Sequence, residues 1–297
     1  MPETYVNVYD QIGEREDLIN LVTSISPEET VTMSRLGRAN AKSFKHDWLT
    51  QALAAADSAN AIIDGASATF ASSDYTARVS VTNYTQILRR VFSSSYSQEA
   101  IVQAGVSSEF ANQRELKTKE VKRDANSALI NQTSASGTSA VARRVNGVLA
   151  AITTNTRDGG GKALEQILYN DLLQSIWDQG GHPNVTYCGG FQKRVISNWT
   201  PQGGQRWTDA EGRKIINTID TYSSDFGMQT ILLERNQPAA QISLLEEKYW
   251  RIAWLRPLFY EELSKVGEQH RGSVVMELTL EYLAENSSGK ITALATQ

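Results

Sequence analysis

The sequence predicts an α+β fold, and three patterns along its 297 residues support this prediction. The first is one long polar helix over about residues 107–131, which contains neither glycine nor proline. The second is a central stretch, over about residues 139–266, in which short helical and strand patterns follow one another. The third is an alternating apolar pattern in residues 273–283, followed by a turn and a short strand, which predicts a closing β hairpin.

The long helix is predicted to be a strut with only one narrow apolar face. Ser107 or Ser108 can cap its first turn, and Gly137 lies beyond its end. At about 1.5 Å per residue it spans roughly 35 Å. Its apolar positions form a thin stripe, consisting of Phe110, Val121, Ala125, Ala128 and Leu129. We expect its own chain to cover one edge of this helix, and solvent or other subunits to cover the charged faces.

Two stretches before the long helix predict strands, over residues 39–49 and 77–92. The 27 residues between them (50–76) are rich in Ala, Ser, Asp and Asn and cannot build a core of their own. We therefore expect a protruding loop that is buried against another subunit, although a flexible surface loop is an alternative. The apolar residues that would make this contact are Ile62, Ile63 and Phe70.

The central stretch begins with two predicted helices. The first covers residues 139–152, where valine, leucine and isoleucine recur at helical spacing. The second covers residues 162–179 and ends at a glycine pair. Further elements are a helix over residues 191–199 and short strands over 185–188, 230–233, 242–245 and 250–255. This order indicates a compact α+β unit.

Charge is unevenly distributed near the N-terminus. Seven acidic residues and one basic residue lie between residues 1 and 30, and four basic residues then precede the next acidic one. This pattern predicts an acidic arm that lies on a basic surface of its own or a neighbouring subunit. The alternative is that both stretches are merely solvated. The candidates for such contacts are Glu14, Glu16, Asp17, Arg35 and Arg38.

Composition excludes several classes of protein. The net charge of −4 argues against a protein whose main role is to wrap nucleic acid, because such proteins need a basic surface. The single cysteine, Cys188, excludes an internal disulfide and a cysteine-based zinc site. No apolar segment has the length of a membrane span, and the first residues lack a secretory signal pattern. We therefore expect synthesis in the cytoplasm and no contact with membranes.

Motifs for catalysis or metal binding are weak. The three histidines, His46, His182 and His270, lack metal-binding spacing. Residues 158–163 resemble part of a phosphate-binding loop, but the first glycine and the magnesium-binding hydroxyl are missing. Cys188 lies at a strand-to-helix junction that suits a nucleophile, yet no base is near it in the sequence, so a buried structural cysteine is preferred. We predict no enzyme activity, no metal and no cofactor.

Short motifs, found in the same order along nearly the whole chain, resemble those of a known protein family. They are Ser26-Pro27-Glu28-Glu29-Thr30, His46-Asp47-Trp48, Asp57, Asp64-Gly65-Ala66, Ala68-Thr69, Glu109-Phe110-Ala111, Gln113, Lys122-Arg123-Asp124, Arg143, Gly147, Thr154-Asn155, Asp225-Phe226-Gly227, Leu255-Arg256-Pro257, Glu277 and Leu280. With these motifs the chain resembles the major capsid proteins of tailed bacteriophages, which have the Hong Kong 97-like shell fold shared with encapsulins.

The resemblance implies four segments. Residues 1–30 would be an N-terminal arm, and residues 31–138 would begin a peripheral domain with an extended β-hairpin loop (about 50–76) and the long spine helix. Residues 139–266 would form an axial α+β domain. Residues 267–297 would return to the peripheral domain as its C-terminal β hairpin. On the spine helix we expect Arg114, Lys117, Lys122 or Arg123 to meet acidic groups, including the arm of another copy.

The function implied is that of a structural protein that self-assembles, through pentamers and hexamers, into the icosahedral shell around the double-stranded DNA of a tailed bacteriophage. Its location would be the virion. Expected partners are a portal protein, a separate scaffolding protein and a decoration protein, with weak non-specific contacts to DNA. The alternatives are an encapsulin-like nanocompartment shell, a cysteine hydrolase using Cys188 and a DNA-binding module.

Overall fold

Two β-sheets and a two-stranded ribbon form the framework of the protein in a computed structural model, which describes residues 29–68, 75–103, 105–199 and 220–296. The strands are β1 (Gly37–Asn40), β2 (Lys45–Thr50), β3 (Val79–Tyr84), β4 (Gln86–Ser95), β5 (Thr156–Asp158), β6 (Val185–Cys188), β7 (Thr221–Ser224), β8 (Gly227–Leu233), β9 (Ile242–Leu245), β10 (Trp250–Glu262), β11 (Gln269–Tyr282) and β12 (Gly289–Thr292). The helices are α1 (Val31–Arg35), α2 (Tyr96–Ala100), α3 (Glu109–Asn131), α4 (Val148–Ala151), α5 (Gln166–Asp178) and α6 (Gly190–Ser197).

The first sheet has the strand order β1-β10-β11-β4, in which β11 pairs antiparallel with both of its neighbours. The second sheet has the order β5-β12-β9-β6-β8-β7, and helices α5 and α6 belong to its core. The ribbon consists of β2 and β3, which pair antiparallel from Lys45–Tyr84 to Thr50–Val79. An α+β fold is therefore confirmed.

Helix α3, called the spine helix below, packs on one face of the four-stranded sheet. The hydroxyl of Ser108 accepts a hydrogen bond from the N–H of Ala111 at 3.2 Å, which confirms the predicted cap. Val121, Ala125 and Leu129 are fully buried, in one cluster with apolar residues of β11 such as Val274, Met276 and Leu278. Full burial of a side chain such as Leu129 contributes about 1.5–3 kcal/mol. The narrow apolar stripe is thus confirmed, and Phe110 and Ala128 are only partly buried at its margins.

The predicted helix over residues 139–152 is wrong. Only α4 at its end is helical, and residues 132–147 form an irregular segment, called the connector below. Ala135 and Arg144 pair through two backbone hydrogen bonds of 3.0 and 3.1 Å. Val145, Val148 and Ile152 are buried as expected, whereas Val141 is exposed. Tertiary packing therefore buries most of the apolar residues without the helix that their spacing predicts.

The predicted closing hairpin is also wrong. Strand β11 is flanked on both edges, by β10 and β4, so neither edge is open to β12. Strand β12 instead joins the six-stranded sheet, between β5 and β9. The domain boundary placed at residue 266 fails for the same reason: β10 lies before it but belongs to the four-stranded sheet, and β12 lies after it but belongs to the other sheet.

The predicted strands 39–49 and 77–92 exist, but each of them is divided. Strands β1 and β4 belong to the four-stranded sheet, whereas β2 and β3 form the ribbon. Thr85 separates β3 from β4, and its N–H donates to the carbonyl oxygen of Phe44 at 2.9 Å. The ribbon therefore leaves the sheet at two adjacent points, just after Phe44 and just before Thr85.

Candidate assembly surfaces

The loop carried by the ribbon exposes several large apolar side chains to solvent. Residues 51–68 and 75–78 contain only isolated turns. Leu53, Ile62 and Ile63 are 97%, 78% and 84% exposed. Phe70, the third apolar candidate on this loop, lies outside the described residues. Exposed aliphatic side chains on a loop without its own core are typical of a surface that a partner covers.

The base of the ribbon is buried and well fixed. The indole N–H of Trp48 donates to the carbonyl oxygen of Tyr282 at 3.0 Å, and the two rings meet edge to face at 4.9 Å. On the other strand, the amide of Asn83 is fully buried and donates to the carbonyl oxygen of Leu280 at 2.6 Å. Both strands of the ribbon are thus attached to the C-terminal half of β11.

A buried carboxylate completes this base. Glu277 accepts hydrogen bonds from the hydroxyl of Thr85 at 2.7 Å and from the guanidinium groups of Arg143 and Arg256 at 2.8 Å each. Its side chain is 4% exposed. Burial acts to raise the pKa of Glu277, but the hydrogen bonds from Thr85 and Arg256 and the two positive charges outweigh burial, so its pKa lies below the usual range. The charge on Glu277 is therefore compensated inside the fold.

The four basic candidates on the spine helix have different surroundings. The guanidinium of Arg114 lies 5.6 Å from the ring centre of Tyr260, and Lys117 pairs with Glu120 of the same helix at 2.7 Å. Lys122 is exposed and Arg123 is half-buried. Lys117 thus has an acidic partner within its own chain, whereas the exposed charge of Lys122 faces outward.

Arg35 also has an acidic partner within its own chain. Its guanidinium binds both carboxylate oxygens of Glu247, at 2.7 and 2.9 Å, and the hydroxyl of Tyr187 donates to the same carboxylate at 2.5 Å. The hydrogen bond to Glu247 raises the pKa of Arg35 further above its already high value. This ion pair connects α1 to the six-stranded sheet, so Arg35 has a structural role whether or not it meets another subunit.

A groove of about 790 Å³ lies beside the exposed side of the spine helix. Met33, Trp254 and Leu258 provide apolar walls, and Arg38 and Lys122 provide two positive charges. A groove lined by both apolar and basic side chains fits an acidic segment that carries some apolar side chains. The predicted acidic contacts Glu14, Glu16 and Asp17 lie outside the described residues.

Sequence reasoning missed a second buried carboxylate, Glu234, which follows β8. It accepts hydrogen bonds from the backbone N–H and hydroxyl of Thr32, at 3.0 and 2.8 Å, and from the amide of Asn126 at 3.0 Å. Glu234 is 1% exposed. It therefore joins α1, the spine helix and the six-stranded sheet. A lone glutamate after a strand gives no signal in the sequence, because Thr32 and Asn126 are more than 100 residues away from it.

The structure offers little support for chemistry at Cys188. The thiol is fully buried, and burial raises its pKa to about 12 although the charge of Lys193 acts in the opposite direction. Its S–H donates to the carbonyl oxygen of Leu232 at 3.5 Å. Within the described ranges, no group of three or more His, Cys, Asp or Glu side chains could hold a metal ion, and no helix could span a membrane. A thiol in this environment is not a ready nucleophile.

Comparison with protein families gives a match over almost the entire chain. Residues 3–295 match the profile described as the SU10 major capsid protein. The chain belongs to the SU10 major capsid protein family. A curated relative, the major capsid protein of Escherichia phage Phieco32, is 32% identical to this SU10-family chain over 130 residues. That segment is 44% of this chain and spans only 36% of the length of the relative.

Solved structures share the fold of the SU10-family chain over nearly its full length. The Cyanophage A-1(L) capsid subunit has a TM-score of 0.73 and 11% identity, with 98% of this chain and 99% of that chain covered. The SrpI encapsulin of Synechococcus elongatus has a TM-score of 0.65 and 10% identity, with 96% and 94% covered. At this identity the likeness establishes the fold alone, and it confirms the Hong Kong 97-like prediction.

Proposed function

We propose that copies of this chain assemble into the icosahedral shell that encloses the double-stranded DNA of a tailed bacteriophage. The observation that carries this proposal is the exposed apolar loop, with Ile62 and Ile63 at 78% and 84% exposure, on a ribbon whose base is buried. Exposed apolar side chains are unfavourable in water, and burying them against another copy lowers the free energy of assembly. Membership of a major capsid protein family supports the same role.

We assign the two sheets of the subunit to different positions in this shell. The four-stranded sheet with the spine helix is the peripheral domain, and the six-stranded sheet with α5 and α6 is the axial domain that meets its copies in pentamers and hexamers. This assignment follows the two sheets and not the predicted boundary at residue 266. Strand β10 precedes that boundary but belongs to the four-stranded sheet, and β12 follows it but belongs to the six-stranded sheet.

The groove beside the spine helix is the proposed seat of an N-terminal arm from a neighbouring copy. The arm is strongly acidic in sequence, with Glu14, Glu16 and Asp17 within four consecutive positions, and Arg38 and Lys122 supply the opposite charge. Arg114 and Arg123 are further contacts on the same helix. Pairs of this kind at an exposed rim add specificity more than affinity, so the contact would weaken at high salt.

Other partners follow from the same role. A portal protein at one vertex, a separate scaffolding protein and a decoration protein are the proposed partners. The net charge of −4 favours weak, non-specific contact with packaged DNA. The protein is proposed to have no catalytic activity, and burial of Cys188 supports this. It would be made in the cytoplasm of a bacterial host and function in the virion.

Electron microscopy of the wild type and two variants tests the role of the loop. The full chain, its Ile62→Ser/Ile63→Ser variant and its Ala61→Ser variant are each produced together with the scaffolding protein. We expect shells from the wild type and from Ala61→Ser, and unassembled subunits with an unchanged melting temperature from the double variant. A wild type that stays monomeric at every concentration and salt would refute the proposal. So would equal assembly of all three chains, since the loop would then not be the contact.

The content of the particles separates a virus shell from a nanocompartment. Nuclease-treated particles from infected cells are expected to hold protected double-stranded DNA. Particles that contain a cargo enzyme and no DNA would instead favour the encapsulin-like alternative.

A further inference from the structure

The connector, residues 132–147, touches the spine helix, the ribbon and β11 at the same time. At its end, the N–H of Gly147 donates to the carbonyl oxygen of Gln132 at 2.8 Å, directly after the spine helix. A Cβ atom on Gly147 would lie 2.9 Å from the carbonyl oxygen of Ala128, so the connector lies directly against the last turn of the helix. The position of the connector is therefore fixed by the spine helix.

Arg143 of the connector contacts both residues that flank the ribbon at its base, Phe44 and Thr85. Its Nε donates to the carbonyl oxygen of Thr85 at 3.3 Å, and its Nη2 donates to Glu277 at 2.8 Å. Its guanidinium also lies 5.4 Å from the ring centre of Phe44. Phe44 precedes the first ribbon strand and Thr85 follows the second. One side chain thus bridges the two points at which the ribbon leaves the sheet, and connects both to β11.

Asn146 makes a second, independent set of contacts. Its backbone N–H donates to Oδ1 of Asn83 at 2.8 Å, and its carbonyl oxygen accepts from Nδ2 of Asn83 at 3.2 Å. Its side-chain amide donates to the hydroxyl of Tyr282 at 3.2 Å. The backbone of the connector therefore pairs with a fully buried amide of the ribbon, as an adjacent strand would.

We propose that the connector is a clamp that sets the direction of the extended loop relative to the spine helix, with Arg143 and Asn146 as its positioning residues. An isolated two-stranded ribbon is only marginally stable in water, so its orientation depends on what holds its base. Six residues per strand extend roughly 20 Å, so a small rotation at the base displaces the loop by several ångströms. Its importance for shell assembly rests on the proposed function.

Hydrogen exchange of the full-length, unassembled chain tests the clamp with a matched pair of variants, Arg143→Gln and Arg144→Gln. Arg144 is the next residue and is exposed, so its change removes the same charge without touching the ribbon. We expect Arg143→Gln to accelerate amide exchange in β2 and β3 roughly tenfold or more, and to leave β6 and β9 of the other sheet unchanged. Arg144→Gln should match the wild type in all four strands.

A milder variant keeps the test decisive if Arg143→Gln does not fold. Asn146→Ala removes the hydrogen bond from the connector to the hydroxyl of Tyr282, and should also accelerate exchange in the ribbon alone. Unchanged exchange in the ribbon of the folded variants would overturn the proposal. Equal acceleration in the ribbon and in β6 and β9 would also overturn it, because the cluster would then support the whole fold and not the ribbon.

The exchange measurement does not depend on shell formation. If the wild type forms no shells, the proposed function fails, while the exchange result still decides whether the clamp exists. If shells form, we expect Arg143→Gln to reduce the yield of closed particles and Arg144→Gln to leave it unchanged. Equal yields of closed particles from both variants would refute a role of the clamp in assembly.

Discussion

The amide of Asn126 on the spine helix donates a 3.0 Å hydrogen bond to the buried carboxylate of Glu234, which lies beyond the end of β8. The same amide group accepts a hydrogen bond from the N–H of Met33 at 2.9 Å. The residue therefore connects the helix that packs on one sheet with the end of a strand in the other sheet. Bonds to a charged, buried acceptor are among the stronger hydrogen bonds in proteins.

We predict that Asn126→Ala lowers the free energy of unfolding by about 2–3 kcal/mol, because it leaves a buried carboxylate short of one donor. Denaturant unfolding measures this change. Asn112→Ala, on the half-exposed surface of the same helix, is the matched control and should cost less than about 1 kcal/mol. An equal decrease in the free energy of unfolding in both variants would show that the Asn126–Glu234 hydrogen bond adds no extra stability.

The lowered pKa of Glu277 predicts an acid-sensitive contribution to stability. A carboxyl group with a folded-state pKa below its ordinary value of 4.5 stabilises the fold fully above that value, and loses this contribution as the pH falls through the folded-state pKa. We expect Glu277→Gln to lower the free energy of unfolding at pH 7 by about 2 kcal/mol or more. Below pH 4.5, stability of the variant should decline less steeply with acid than that of the wild type.

Urea unfolding between pH 3 and pH 7 measures how the free energy of unfolding of the wild type and of Glu277→Gln depends on pH. Glu115→Gln, with a side chain that is 70% exposed, is the control and should keep the wild-type slope. Parallel curves for the wild type and Glu277→Gln would mean that this carboxylate does not titrate differently in the folded chain.

Gly147→Ala should destabilise the fold by about 1–3 kcal/mol. The added Cβ would meet backbone atoms of Ala128 and Ile130 at 2.9 Å, and these belong to the spine helix and cannot move without distorting it. Gly190→Ala is the matched control, because a Cβ there meets nothing within 4 Å. Thermal melting compares the two; equal melting temperatures would show that the connector moves aside at small cost.

Cys188 should resist thiol reagents in the folded protein. Its pKa of about 12 leaves very little thiolate at pH 8, and the fully buried sulfur is out of reach of the reagent. We expect a colorimetric disulfide reagent to modify the native chain on the order of a hundredfold more slowly than the urea-unfolded chain. A native rate close to the unfolded rate would reopen the hypothesis of a reactive cysteine.

The elements that sequence patterns predicted best are those with strong local signals. The spine helix combines good helix formers with a capping serine, and its observed range, Glu109–Asn131, differs from the predicted one by two residues at the start. The strand Ile242–Leu245 has the predicted bounds. In both cases a continuous run of residues with one structural preference is enough to define the element.

The errors arise where distant residues decide the outcome. Helical spacing around Val145 and Val148 is real, but contact with the spine helix at Gly147 replaces the helix with an irregular connector. The turn after β11 suggested a local hairpin, yet the partners of β12 lie 45 or more residues earlier in the chain. Glu277 alternates with apolar residues as a solvent-facing residue would, and only Thr85, Arg143 and Arg256 explain its burial.

The place of β12 has a consequence for the timing of folding. This strand lies inside the six-stranded sheet, between β5 and β9, although it is the last strand in the described chain. During translation the sheet cannot close before residues 289–292 have left the ribosome, because until then β5 has no neighbour. Contacts so distant in sequence slow folding. A nascent chain would therefore complete the six-stranded sheet only after residue 292 has been made, which delays association of this sheet with other copies on the polysome.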